Sequence, residues 1–163
     1  MDNILSIDPG LNNLAIVNLN INEDNNININ YSNIYDIKKK SVSETIDNLI
    51  NNLNGIGNFN IVLIENPPAL KNPQLKTIAI AIYTYFKLKC PNVHLINPSI
   101  KLNKEENKKT YKERKKASIE NGLNLLNEND KREIERYKKK DDILDCVNQA
   151  YAFYQRNKIK SKK

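Results

Sequence analysis

ILSIDPG, at residues 4–10, is an apolar run that ends in the carboxylate Asp8 and stops at a Pro-Gly turn. A second run of the same kind, IVLIE at residues 61–65, ends in Glu65 and is followed by an asparagine and two prolines. Nearly continuous apolar runs of this length are typical of buried strands. A carboxylate at the end of a buried strand costs free energy unless it has a partner, for which a divalent cation is the usual choice. Both acids are therefore candidate functional residues.

The pattern around these two runs predicts an α/β fold with a five-stranded mixed sheet flanked by helices, in the order βββαβαβαα. The predicted strands are residues 3–8, 14–19, 27–37, 60–65 and 93–96, and the predicted helices are residues 43–53, 73–89, 111–126 and 141–154. Ser43 is the expected cap of the first helix. Residues 130–140 are highly charged and fit either a helix end or a loop. We expect a single domain over residues 1–156 and a frayed basic tail over residues 157–163.

Two further carboxylates, Asp142 and Asp145, lie three residues apart at the start of the last predicted helix. Residues at this spacing share one helix face. A right-handed crossover would lay strand 60–65 parallel to strand 3–8, so Asp8 and Glu65 would project at the same edge of the sheet. If the helix begins at that edge, the four acids converge. Asp141 faces another direction, and we expect it to be a bystander.

Four converging carboxylates would repel one another and raise each other's pKa values. Two Mg²⁺ ions about 3.5–4 Å apart would neutralise that charge and flank a scissile phosphate. Magnesium prefers hard carboxylate ligands, so this chemistry needs no histidine. The pattern therefore suggests a magnesium-dependent nuclease, although acids near a helix N-terminus and acids in turns can also be purely structural.

The distribution of charge indicates a polyanionic partner. The net charge is +7, but residues 1–100 carry −1 and residues 101–163 carry +8. A basic segment of this kind suits a nucleic acid, although a solvated lysine-rich face is the plain alternative. The 29 asparagines and 22 lysines, against 4 arginines, indicate AT-rich codon bias, so clustering of lysines is more informative than their number.

Several other classes of protein are disfavoured. No apolar run approaches the ~20 residues that span a bilayer, and no signal peptide is evident, so secretion is not expected. The two cysteines, Cys90 and Cys146, form no zinc motif and are expected to be reduced and partly buried. The only histidine, His94, lies in a predicted strand and is expected to be structural.

Three motifs resemble the signature of RuvC-like Holliday junction resolvases in the RNase H-like superfamily. They are IDPG at residues 7–10, IE at 64–65 and DILD at 142–145. The short chain, the KKDD segment at 139–142 and the basic segment YKERKK at 111–116 look closest to the poxvirus Holliday junction resolvase group. The resemblance covers nearly the whole chain in the order of its elements.

The resemblance implies that Asp8, Glu65, Asp142 and Asp145 are catalytic and bind two Mg²⁺ ions, for which Mn²⁺ would substitute. It also implies basic residues that approach the cleaved phosphate: Lys101 occupies one such place, and Lys112 or Lys115 resembles another. Together with the other cationic residues of the basic segment, these give the predicted DNA-binding residues: Lys101, Lys108, Lys109, Lys112, Arg114, Lys115 and Lys116.

A homodimer is also implied by the resemblance, since a two-fold symmetric pair of sites suits a junction with approximate two-fold symmetry. The helix at 73–89, with Tyr83, Tyr85 and Phe86, is either part of that interface or part of the core. Phe59 is expected to pack in the core or a turn rather than to stack on a base.

The expected function is therefore a Holliday junction resolvase that makes paired symmetric nicks in four-way DNA junctions. It would act inside the cell and, for a virus, in the host cytoplasm at replication sites. Two alternatives remain open: a ribonuclease H-type enzyme acting on RNA–DNA hybrids, and a catalytically silent module that binds branched DNA. An actin-type ATPase needs two lobes, for which 163 residues are too few.

Overall fold

The computed structural model describes residues 2–70, 72–101 and 110–160, and its centre is the predicted five-stranded mixed sheet. The strands are β1 (Asp2–Asp8), β2 (Leu14–Ile21), β3 (Ile27–Tyr35), β4 (Ile61–Glu65) and β5 (Val93–Ile96), in the spatial order β3-β2-β1-β4-β5. The first three strands form an antiparallel meander, and β4 and β5 continue the sheet parallel to β1. The sheet topology expected from the sequence is confirmed.

Five α-helices surround the sheet in the described part of the chain. They are α1 (Val42–Leu53), α2 (Pro73–Lys87), α3 (Tyr111–Asn124), α4 (Glu128–Glu135) and α5 (Lys140–Lys160), and a short 3₁₀ turn spans Pro98–Lys101. The additional helix α4 begins two residues before the ambiguous charged segment and covers its first part, and it buries one apolar side chain, Ile134, against the core. The last helix, predicted to end at residue 154, continues to Lys160 and so passes the predicted domain boundary at residue 156, and residues 161–163 lie outside the described part.

The helices form one layer on each face of the sheet, and the alternation of the strand side chains decides which face each residue meets. Ile4, Val17 and Leu63 pack with α3, α4 and α5. Leu5, Ile16 and their neighbours Val62 and Ile64 on β4 pack with α1 and α2 on the other face. Strand residues two apart therefore face the same helical layer. The same alternation determines which layer the acids at the strand ends face.

Ser41, not the predicted Ser43, caps helix α1. Ser41 has an extended backbone, its hydroxyl accepts a hydrogen bond from the Glu44 amide, and the Glu44 carboxylate accepts one from the Ser41 amide. This reciprocal capping box satisfies two amides that the first turn leaves unpaired. Both serines precede the apolar stripe, and the acidic residue three positions after Ser41 is the signal that distinguishes them.

The aromatic residues of α2 belong mainly to the core, as one of the two alternatives predicted. Phe86 is only 1% exposed, and its ring makes edge-to-face contacts with Phe59 and Tyr85. Tyr83 and Tyr85 are half-buried and pack against the same cluster. Phe59 is thereby a packing residue, as expected.

The structure also shows where the two cysteines and the single histidine lie. Cys90 and Cys146 are free and both are buried, so they are more enclosed than expected. His94 is exposed on β5, where its ring lies 5.0 Å from that of Phe153, and partial burial together with the charge of Lys87 lowers its pKa.

Within the described residues, no helix has the length and apolarity that crossing a membrane requires.

Gly10, in the turn that follows Asp8, leaves no room for a side chain. A Cβ atom there would lie 2.3 Å from the carbonyl oxygen of Asn13. We expect Gly10→Ala to lower the free energy of unfolding by about 1–3 kcal/mol, because the backbone of the turn must move to relieve the clash. Urea unfolding measures this loss. Gly57→Ala is the matched control, since nothing lies within 4 Å of its added Cβ. Equal effects of the two substitutions would contradict the prediction.

Candidate active site

Asp8 and Glu65 end two neighbouring parallel strands at the same edge of the sheet. The register pairs Ile7 with Ile64, so each acid is the next residue along its strand. Because strand side chains alternate, Asp8 shares the face of Ser6 and Glu65 shares the face of Leu63, which is the face covered by α5. Both acids are half-buried. The strand-end placement predicted from the sequence is thus what the structure has.

Helix α5 runs antiparallel to β1, so its first turns lie at the edge where Asp8 ends the strand. At the other end of the helix, the Tyr154 hydroxyl donates a hydrogen bond of 2.9 Å to the carbonyl of Asn22, beside the start of β1. Midway along the helix, the Gln149 amide donates to the Ser6 hydroxyl at 3.1 Å. The direction of α5 therefore satisfies the condition on which convergence of the acids depended.

The hydrogen bond between Gln149 and Ser6 also shows how far α5 is shifted along β1, and so at which level of β1 each acid of α5 lies. Asp145 lies one turn before Gln149 on the same helix face, about 6 Å towards the N-terminus. Asp8 lies two residues beyond Ser6, about 6–7 Å along β1 in the same direction. Ideal helix and strand geometry therefore predicts that Asp145 lies near the level of Asp8, with Asp142 one turn closer to the start of α5.

Asp142 is in an unfavourable position for a negative charge. Burial raises its pKa, and the charges of Asp141 and Asp145 raise it further, while Lys139 and Lys115 oppose the shift. The side chain is half-buried. An acid kept in such surroundings is a candidate functional group, because a structural acid would be more stable with a partner.

Asp141 has the opposite electrostatic balance, because it forms an ion pair with Lys115 of α3. The two charged groups are 2.6 Å apart. Burial alone would raise the pKa of Asp141, but the hydrogen bond and charge of Lys115, with help from a backbone hydrogen bond and Lys139, lower it overall. Asp141 therefore keeps a lysine beside the acids, and its expected place outside the set of metal ligands stays a prediction.

A second link from α3 fixes Asp145. The Ser118 hydroxyl donates a hydrogen bond of 2.6 Å to the Asp145 carboxylate, and the Asn148 amide donates to both the carbonyl and the hydroxyl of Ser118. A carboxylate held by a neighbouring donor has fewer orientations available. Helix α3 therefore positions the acids of α5 at two points, Asp141 and Asp145.

A cavity of about 640 Å³ opens between α3 and α5 beside these groups. Its lining includes Arg114, Lys115, Ser118, Asp141, Asp142, Asp145 and Asn148. Two of the predicted DNA-binding residues, Arg114 and Lys115, thus share a cavity with two of the predicted catalytic acids. Lys112 and Lys116 are exposed on α3 outside this lining. Lys108 and Lys109 lie outside the described residues, as does the side chain of Lys101.

The family of the chain follows from its match to a family model described as "Poxvirus A22 protein", which covers residues 2–157. This chain belongs to that family. The resemblance to poxvirus resolvases expected from the sequence is thereby confirmed. An uncharacterized protein of Acanthamoeba polyphaga mimivirus is 32% identical over 114 residues, which are 55% of this chain. The match spans only 27% of the length of that curated relative.

Two solved structures show the same fold over almost the whole chain. The fowlpox virus resolvase, solved with Holliday junction DNA, has a TM-score of 0.72 at 22% identity and covers 95% of this chain and 98% of its own. The RuvC of Thermus thermophilus, also solved with a Holliday junction substrate, has a TM-score of 0.66 at 11% identity and covers 97% of both chains. The RuvC-like fold predicted from the sequence is confirmed.

The donor set of this A22-family protein fits a hard divalent cation in its chemistry. The candidate ligands are all carboxylates, and burial, followed by the charges of Asp141 and Asp145, raises the pKa of Asp142, so a bound cation would favour its charged form. Within residues 2–70, 72–101 and 110–160, no group of three or more His, Cys, Asp or Glu side chains is arranged to hold a metal. The assignment of Asp8, Glu65, Asp142 and Asp145 as metal ligands thus stays a prediction from the sequence.

Three supporting residues were missed in the sequence: Ser118, Asn148 and Gln149. Asn148 and Gln149 are buried and stand between the buried apolar residues Val147 and Ala150. Polar side chains within an apolar stretch of a helix need buried hydrogen-bond partners. The position of these two residues in the sequence could therefore have marked them as supporting residues. Ser118 had no comparable signal, because its partner lies 27 positions away on another helix.

Proposed function

We propose that this chain is a Holliday junction resolvase, a metal-dependent endonuclease that makes paired nicks in four-way DNA junctions. The supporting observation is that the acid-bearing first turns of α5 lie over the edge where Asp8 and Glu65 end neighbouring parallel strands. Membership in the poxvirus A22 protein family agrees with this activity, and RuvC-like resolvases are metal-dependent nucleases.

Under this proposal, Asp8, Glu65, Asp142 and Asp145 hold two Mg²⁺ ions, with Mn²⁺ as a substitute. When bound, such ions supply water activation and charge stabilisation for phosphodiester hydrolysis. The chain's own contribution is to orient the acids. Ser118 restricts the Asp145 carboxylate through their 2.6 Å hydrogen bond. Gln149 keeps α5 at the correct height against β1.

Two cationic side chains that line the cavity, those of Lys115 and Arg114, are suited to hold the phosphate backbone of the DNA. Lys115 is kept beside the acids by its ion pair with Asp141, and Arg114 lines the same cavity. Lys112 and Lys116 are exposed on the same helix and extend the basic surface outward. Contacts of this kind position DNA without reading its sequence, so recognition would depend on the shape of the junction.

A homodimer completes the proposal, because paired nicks need two active sites related by a two-fold axis. Exposed apolar side chains on the α1 and α2 layer suit a surface that pairs with a second copy: Val42 is 70% exposed and Ile80 is 41% exposed. These residues lie on the face of the sheet opposite α3 and α5. Family membership suggests that the enzyme works in the cytoplasm of an infected cell, on branched intermediates of replication and recombination.

The proposal is tested by incubating the protein with a synthetic four-way junction, with and without Mg²⁺, and resolving each labelled strand. We expect symmetric nicks in two strands of like polarity, only when Mg²⁺ is present. An RNA–DNA hybrid duplex is the matched competitor. Preferential cleavage of the hybrid would favour a ribonuclease H-type enzyme. Tight junction binding without cleavage in either Mg²⁺ or Mn²⁺ would indicate a catalytically silent module.

A further inference from the structure

A run of three lysines in the N-terminal part of the chain has no role in the proposed active site. Lys38, Lys39 and Lys40 account for three of the seven cationic residues among residues 1–100, a region whose net charge is −1. All three are exposed, on the connection between β3 and α1. Codon bias can explain a high total number of lysines. It explains less easily why three consecutive lysines occur in a region whose net charge is slightly negative.

The topology of the sheet puts this run at the edge that carries the acids. Strand β3 is parallel to β1, since each is antiparallel to β2, and the register pairs Leu14 with Tyr35 beside the pairing of Ala15 with Asp8. The chain therefore leaves β3 at the same edge where Asp8 ends β1. Strands are about 4.8 Å apart, so these two strand ends are separated by roughly 10 Å.

Hydrogen bonds hold the backbone of the run in place. The amides of Ile37 and Lys38 both donate to the carbonyl of Leu11, in the turn that follows Asp8, at 2.9 and 3.0 Å. The Lys39 amide donates to the Thr45 hydroxyl of α1 at 3.1 Å. The lysines are thus presented from a backbone that is tied directly to the turn after Asp8, rather than from a free loop.

Neighbouring acids balance this charge only in part. Glu44 and Asp47 line the same shallow cavity as the lysines, and Asp36 precedes them. Glu44 accepts the Ser41 amide, and Asp36 accepts the Lys38 amide at 3.2 Å. Among the ion pairs found between described residues, none involves this run. The ammonium groups are therefore available to an external anion.

We propose that Lys38, Lys39 and Lys40 form a second DNA-backbone contact, on the side of the acid edge opposite to α3. The two basic surfaces come from different helical layers, because the run leads into α1 whereas Arg114 and Lys115 belong to α3. Each strand of duplex DNA presents one phosphate about every 3.4 Å of helix axis. A strand whose scissile phosphate lies at the acids would thus offer the run phosphates a few nucleotides away.

The inference rests on the proposed function and is tested by the salt dependence of junction binding in EDTA, where no cleavage occurs. The variant Lys39→Gln/Lys40→Gln removes two charges. We expect the slope of log K against log[salt] to become shallower by up to about 1.8, and the affinity near 0.1 M salt to fall about tenfold. A purely structural role of the lysines would lower the melting temperature without changing the slope.

The matched control is Lys87→Gln/Lys89→Gln, which makes the same change in net charge at the opposite edge of the sheet, before β5 begins. We expect its slope and affinity to equal those of the wild type. Equal losses in both variants, or no loss in Lys39→Gln/Lys40→Gln, would overturn the second contact but leave the resolvase proposal intact. A wild-type chain that neither binds nor cleaves a junction would overturn both.

Discussion

Asp142→Asn is expected to slow Mg²⁺-dependent junction cleavage by about a thousandfold or more, while junction binding is retained. Asparagine has nearly the same shape but no charge, so the substitution removes a predicted metal ligand and little else. A thousandfold loss corresponds to about 4 kcal/mol of transition-state stabilisation, which is reasonable for one metal ligand. Single-turnover cleavage in Mg²⁺ and a binding isotherm in EDTA measure the two quantities separately.

Asp141→Asn is the control, because it makes the same chemical change one residue away. Asp141 is paired with Lys115 and is not a predicted metal ligand, so we expect its loss to slow cleavage by no more than about tenfold. If Asp142→Asn cleaves as fast as the wild type, the metal-site proposal fails. If Asp141→Asn has the larger effect, the assignment of the ligands within α5 is wrong.

The stability of the Asp142→Asn variant gives an independent check without metal. The pKa of Asp142 is raised above its ordinary value of 3.8, so the folded chain retains the proton at pH values where the unfolded chain has released it. This contribution to stability is present at low pH and is lost as the pH rises through the folded-state pKa. At neutral pH in EDTA, the neutral asparagine should therefore raise the melting temperature by about 1–3 °C. A lower melting temperature would contradict this reasoning.

Phe86→Ala is expected to lower the free energy of unfolding by about 3–5 kcal/mol. The side chain is 1% exposed, and its ring centroid lies 5.4 Å from that of Phe59 and 5.0 Å from that of Tyr85. Removing the ring would leave a cavity in the layer between the sheet and α1 and α2. Urea unfolding measures the loss. Because Phe86 is a core residue, the change should not depend on protein concentration.

Leu88→Ala is the matched control at the end of the same helix. Leu88 is 84% exposed, so the substitution should change the free energy of unfolding by less than about 0.5 kcal/mol. A loss for Phe86→Ala that shrinks or grows with protein concentration would indicate that these aromatics stabilise an interface between copies. That result would restore the alternative that the sequence left open.

Local features of the sequence were sufficient for the sheet and for the position of two acids. The apolar runs that end in Asp8 and Glu65 coincide with the ends of β1 and β4, because continuous apolar runs and the breakers after them are short-range signals. The apolar spacing of α2 likewise placed Ile78, Ile82 and Phe86 in the core. The charged segment at 130–140 was ambiguous, since α4 is held by one buried side chain rather than by an apolar stripe.

Short-range signals in the sequence are therefore enough to predict the strands, the parallel crossover and four candidate acids. The groups that surround those acids follow from the packing of the elements against one another. The ion pair of Asp141 with Lys115, the hydrogen bond of Ser118 to Asp145, and the placement of Lys38–Lys40 beside the turn after Asp8 all join residues that are distant in the chain or on different elements. Periodicity reports which face of an element is apolar, whereas the partners of a polar side chain depend on how the elements pack.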